Sequence, residues 1–148
     1  MSEHKAKLLW QRQTADFAYD TYDRSHAVTM EGGAVISASA APEYKGKKEL
    51  VNPEEMLAAS AASCHMLTFL AVAARSHITV DRYEDSVVAV LEKNAEGVLA
   101  VTTITLHPKI VFSGENLPDA AKLKDLHDKA HRNCFIANSI KCRIVVES

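Results

Sequence analysis

The sequence predicts an α+β fold of two layers, and three observations carry that prediction. A long helix-forming run follows Asn52, a period-two hydrophobic alternation begins at Ile78, and a second helix start at Pro118-Asp119 precedes a closing strand through Ile144 and Val146. The chain has 148 residues, 47% of them hydrophobic and 24% charged, enough to bury a core as one domain over 1–148 without disulfide staples.

Taken in order, Lys7 to Gln13, Asp16 to Arg24 and His26 to Glu31 carry Trp10, Phe17, Tyr19, Tyr22, Val28 and Met30, side chains that favour strands. Gly32-Gly33 predicts a hairpin turn into a strand over Ala34 to Ala38. Pro42, Gly46 and the charged run from Lys45 to Glu49 mark Ala41 to Val51 as a surface loop. At Asn52-Pro53-Glu54-Glu55, Asn suits the N-cap, Pro the first helical position, and the acidic residue three after the cap completes a capping box. The helix is expected to run to about Ser76. Beyond it, Ile104, Leu106, Pro108, Ile110 and Phe112 alternate with Thr105, His107, Lys109 and Val111, and Asn94-Ala95-Glu96-Gly97 supplies a turn between two long strands. In the second helix Leu123, Leu126, Ala130 and Cys134 fall on or near one stripe.

The nineteen residues from Met56 to Ala74 contain no Asp, Glu, Lys or Arg, which is long enough to raise a membrane span. The small residues at its start, with His65 and Thr68 further on, point instead to a helix apolar on every side and covered by protein. One sheet covers one face, so the opposite face asks for a second subunit: a homodimer is expected, and no membrane. With 17 basic against 19 acidic residues and no basic block, nucleic acid is not an expected partner. No export signal is read at the start of the sequence, and three widely spaced cysteines match no secreted framework, so reduced thiols in a cytoplasm are expected.

Cys64 sits in mid-helix, where cysteine commonly serves as a small buried hydrophobe. Two features point beyond that. The run Ala58 to Ser63 before it lets another backbone or a ligand come close, and Cys134 stands on the apolar stripe of the second helix, so that two thiols could meet in one core. A reactive thiol must be a thiolate, and Cys64 lies about three turns past the helix start, beyond the reach of the helix terminus. A cation must come from elsewhere, and Arg24, in Tyr22-Asp23-Arg24-Ser25-His26, is the candidate.

Asn52-Pro53-Glu54-Glu55-Met56-Leu57-Ala58-Ala59 leading to Ala62-Ser63-Cys64, then Cys134 after a second helix, a closing strand, and Arg24 ahead of a Gly-Gly hairpin together resemble the OsmC/Ohr family of osmotically inducible and organic-hydroperoxide-resistance proteins. The resemblance covers almost the whole chain. It implies an intertwined homodimer with antiparallel sheets around a long central helix, and a thiol peroxidase that needs no cofactor. Cys64 would attack an organic hydroperoxide, Cys134 would resolve it, Arg24 held by Glu54 would lower the thiol pKa, and an external dithiol would restore the pair. Met56, Leu67 and Phe135 are expected to line the substrate site. Many members of the family have proline after the second cysteine, where this chain has Phe135.

Glu54 and Cys64 are ten residues apart, about 15 Å along a straight helix. Either the helix breaks near the Ala/Ser run or two copies pack antiparallel, and the second arrangement is the expected one. His65, about 100° round the helix from Cys64, is read as structural, and Cys142 as a core residue sharing a strand face with Ile144 and Val146. Two alternatives stand beside the peroxidase: a zinc site from His127, His131 and Cys134, and a non-enzymatic dimer that binds a hydrophobic small molecule.

Overall fold

In the computed structural model, which describes residues 1–148, the helix announced at Asn52 runs unbroken from Pro53 to Arg75 (α1). Its start is a closed capping box. Asn52 Oδ1 accepts the Glu55 backbone N–H at 2.8 Å, and Glu55 Oε2 accepts the Asn52 N–H at 3.0 Å. Of the two arrangements open from the sequence, a break near the Ala/Ser run is therefore ruled out. By length and composition α1 alone could cross a membrane, but Ala58, Ala61, His65, Phe69 and Ala73 bury one continuous face in protein.

The chain divides into two compact units, Met1–Met56 and Leu57–Ser148. The first holds an antiparallel sheet of β1 (Ala6–Leu9), β2 (His26–Met30) and β3 (Val35–Ala38), in that order. The predicted hairpin forms: Gly33 takes a φ of 89° and its N–H donates to Met30 O at 2.9 Å. The expected loop after Ala41 contains a 3-10 turn at Pro42–Tyr44. The expected strand over Asp16 to Arg24 is absent, because its aromatic side chains stack on one another instead of entering a ladder. Phe17 packs on Trp10 and Tyr22 with ring centroids 5.7 and 5.2 Å apart.

In the second unit β4 (Thr79–Asp85) pairs antiparallel with β7 (Pro108–Ser113). A second sheet has β5 (Val88–Lys93) antiparallel to β6 (Leu99–Leu106), with β8 (Arg143–Val146) parallel on the other side of β6. Asn94 shapes the β5–β6 turn by accepting the Glu96 and Val98 N–H groups, each at 3.0 Å. The alternation read through residues 104 to 112 belongs to two strands rather than one. At His107 the backbone leaves the ladder and donates its N–H to Asp85 Oδ1 at 2.7 Å, after which β7 joins a different sheet. Helix α2 (Ala120–Asn133) starts where Asp119 accepts the Lys122 N–H at 2.7 Å.

Two buried clusters tie this unit together. Phe69 and Ala73 of α1 pack with Leu126 and Ala130 of α2 and with Ile78, and Val80, Tyr83, Ile110 and Phe112 of β4 and β7 close over them. Ala61 packs with Ile104 and Leu106 of β6, flanked by Ile136, Ile140, Cys142, Ile144 and Val146. The first cluster carries α2 against α1, and the second brings the segment after α2 back to the same helix. Together they carry Cys134 to Cys64. The fold is α+β, as the sequence predicts.

Candidate active site

Cys64 lies midway along α1, partly buried, and Cys134 caps the C-terminus of α2, fully buried. Seventy positions separate them in the chain, yet each sulfur acts on the ionisation of the other. Three structural causes meet here: the α1 face that buries Ala61 and His65, the stripe of α2 that buries Leu126 and Ala130, and the extended conformation of Cys134 (φ −74°, ψ 115°) that ends α2. The turn that follows is held by Asn138 N–H donating to Cys134 O at 3.1 Å, and Ala137 N–H faces Cys134 Sγ at 3.4 Å.

The environment treats the two sulfurs differently. Burial works to raise the Cys64 thiol, but hydrogen bonds from Cys134, the Ile136 and Phe135 backbone and the Thr68 hydroxyl outweigh it, leaving Cys64 below an ordinary cysteine. Burial and the neighbouring Cys64 sulfur push Cys134 the other way. One thiol is thus inclined to ionise and the other to remain a donor. This split suits an attacking and a resolving sulfur. Cys142 is free, and burial raises its thiol; it packs on the Ile104–Leu106 cluster as a core residue.

The first unit holds Arg24 and Glu54, which do not pair within the chain. The Arg24 guanidinium donates to Tyr22 O and Tyr19 O, each at 2.6 Å, and lies 3.9 Å from the Tyr22 ring centroid. Glu54 keeps one buried carboxylate oxygen without a hydrogen-bond partner. Arg24 borders a cavity of about 590 Å³ with Leu8, Trp10, Phe17, Tyr22 and Pro53. Met56, Leu67 and Phe135, expected at a substrate site, do not line it; Leu67 and Phe135 are 60% and 81% exposed. The cavity's aromatic residues carry a visible sequence signal, clustered rings on either side of Asp16, which strand propensity masks.

The zinc set read from the sequence does not assemble. His127 and His131 sit four apart on α2, but His127 is buried with its Nδ1 3.0 Å from His65 Nε2, His131 is exposed, and Cys134 faces Cys64. No three His, Cys, Asp or Glu side chains converge as a ligand group. His65 is buried against His127, and its burial lowers its pKa to about 4.

This arrangement of helices, sheets and facing cysteines defines an OsmC-type protein: residues 46–148 match the model of the OsmC-like protein family, and the chain belongs to that family. It is 40% identical to an OsmC-like protein of unknown function from Vibrio cholerae, whose structure superposes with a TM-score of 0.94 over 99% of both chains. It is also 29% identical over 134 residues to the uncharacterized protein YmaD of Bacillus subtilis strain 168, 84% of each chain being covered. An organic hydroperoxide resistance protein OsmC from Legionella pneumophila shares the fold, with a TM-score of 0.72 at 22% identity over 99% of this chain and 95% of that one.

Proposed function

We propose that this protein is a cysteine-based peroxidase of the cytoplasm that reduces organic hydroperoxides. The observation that carries the reading is the facing pair, Cys64 inclined to ionise and Cys134 inclined to stay protonated. The Cys64 thiolate attacks the outer peroxide oxygen, the O–O bond breaks, and the departing alkoxide takes up a proton to leave as an alcohol. Cys64 is then a sulfenic acid. The Cys134 sulfur displaces its hydroxyl, giving a disulfide and water, and two electrons from an external dithiol return both thiols.

Arg24 polarises the peroxide and Glu54 holds the guanidinium, a pairing supported by the buried oxygen that Glu54 leaves free. Ten residues of unbroken helix keep Glu54 about 15 Å from Cys64 of its own chain. A homodimer in which a second copy brings these groups to Cys64 answers that distance. A monomeric species with full turnover would exclude this arrangement.

The test is a mass spectrum before and after one equivalent of tert-butyl hydroperoxide. A Cys64–Cys134 crosslink with loss of two hydrogens is expected, and Cys64→Ser is expected to consume no peroxide. The aromatic cavity beside Arg24 favours one second reading, a dimer that binds a hydrophobic small molecule and has inert thiols. Thiols left untouched by the hydroperoxide would decide for it.

A further inference from the structure

Within the first unit, the segment that carries Arg24 is tied to a turn whose backbone is itself pinned. Gly46 sits so close to Ala40 that a Cβ would collide with the Ala40 carbonyl, and its N–H donates to Ala41 O at 3.1 Å. Lys45 before it takes the left-handed conformation (φ 64°), and the Lys47 N–H donates to the buried Ser39 Oγ at 3.2 Å. The two lysines of this turn reach the arginine segment: Lys45 pairs with Asp20, and Lys47 Nζ lies 2.7 Å from Asp23 Oδ2. The contacts gather on Asp23. Its second oxygen, Oδ1, accepts the Ser25 N–H at 2.7 Å, and its carbonyl accepts the Trp10 Nε1–H at 2.6 Å. Lys47 and then Ser25 hold the Asp23 carboxyl well below the usual carboxylate range. On the other side of Arg24, its own carbonyl lies 2.9 Å from His26 Nδ1.

We propose that Asp23 and Lys47 form the positioning pair of Arg24, tying the arginine segment to the Lys45–Lys47 turn and so setting where the guanidinium stands at the cavity wall. The inference rests on Arg24 polarising the peroxide in the proposed peroxidase. An isolated ion pair this exposed does little for stability. Here its effect is directional, because the turn at one end is fixed and Arg24 follows directly on Asp23 at the other. The guanidinium then reaches Tyr19 O and Tyr22 O and lies against the Tyr22 ring, all within the segment that the pair anchors. A charged donor helps a reaction when it is held in place before the charge develops. Neither Asp23 nor Lys47 lines the cavity, so both act through Arg24.

The test is the rate at which phenylglyoxal modifies Arg24 in the intact reduced protein, followed by peptide mass spectrometry with Arg75 and Arg132 as references in the same digest. Asp23→Asn and Lys47→Met are each expected to speed Arg24 modification about fivefold, the upper range for a partly exposed ion pair, with the reference arginines unchanged. Lys47→Arg keeps the charge and is expected to overlay the wild type. Trp10 is the only tryptophan, and its emission is expected to move to longer wavelength in the same two variants as the segment bonded to it loosens. In turnover, kcat/KM for tert-butyl hydroperoxide is expected to fall by about the same factor in each, and in an Arg24→Ala background Asp23→Asn is expected to cost nothing further. A wild-type rate at Arg24 in either variant overturns the pair, as does an equal rise at all three arginines, which marks general loosening, or a further loss in the Arg24→Ala background. If Asp23→Asn fails to fold, Lys47→Met against Lys47→Arg decides alone by the same criteria. Modification and emission need no peroxide, so a protein that ignores hydroperoxide yet shows these shifts loses the peroxidase reading and keeps the positioning pair.

Discussion

His65 Nε2 of α1 lies 3.0 Å from His127 Nδ1 of α2, the two rings 9° from parallel and both almost wholly buried. One imidazole must donate and the other accept, so both are neutral in the bond's simplest form. The outer nitrogens, His65 Nδ1 and His127 Nε2, are buried without partners, and Phe69 packs on the His127 ring at 4.6 Å. A proton added to either ring would carry its charge into this apolar surrounding.

Acid is therefore expected to unfold the protein earlier than its carboxylates alone would. Burial, with the neighbouring His127 and His131, lowers His65 to about 4, and burial lowers His127 as well. A lowered histidine takes up its proton in the unfolded chain first, so the stabilisation is complete above the ordinary imidazole value of about 6.5. It is lost as the pH falls from there towards about 4, by roughly 3 kcal/mol for His65 alone. Urea midpoints measured across that window check it; a flat midpoint between those limits would contradict buried neutral histidines.

Removing the resolving thiol separates the two halves of the proposed cycle. Cys134→Ser is expected to retain the first oxidation of Cys64 and to stop there, leaving a sulfenic acid that dimedone labels, with catalytic turnover lost. Dimedone adducts counted by mass spectrometry after one equivalent of hydroperoxide provide the measurement.

At the start of α1 the prediction concerns stability alone. Asn52→Ala removes the acceptor for the Glu55 amide and is expected to cost about 1 kcal/mol, seen as a lower denaturation midpoint at unchanged m-value. Glu55→Gln keeps an acceptor for the Asn52 N–H and is expected to cost less.

Both helices and both cysteines were legible because their signals are local. Asn52 and Asp119 announce caps through side chains three residues from the amides they bind, and Cys134 shares a stripe with Leu126 and Ala130 that the helical period exposes. The segment from Asp16 to Arg24 has strand propensity without forming a strand because β propensity records a ring's liking for flat apolar surroundings. Stacked rings and a guanidinium supply these as well as a sheet does. The break at His107 depends on Asp85, 22 residues earlier, and the His65–His127 bond spans 62 residues, so neither leaves a mark on its own neighbourhood.

The distance along the chain between Cys64 and Cys134 gives their chemistry a mechanical side. A bond between them would close a loop of seventy residues spanning most of the second unit, and tying so long a loop removes about 4 kcal/mol worth of disorder from the unfolded chain. Each turn of the proposed cycle would thus alternate a less and a more stable form of the same fold, with the oxidised one the harder to unravel.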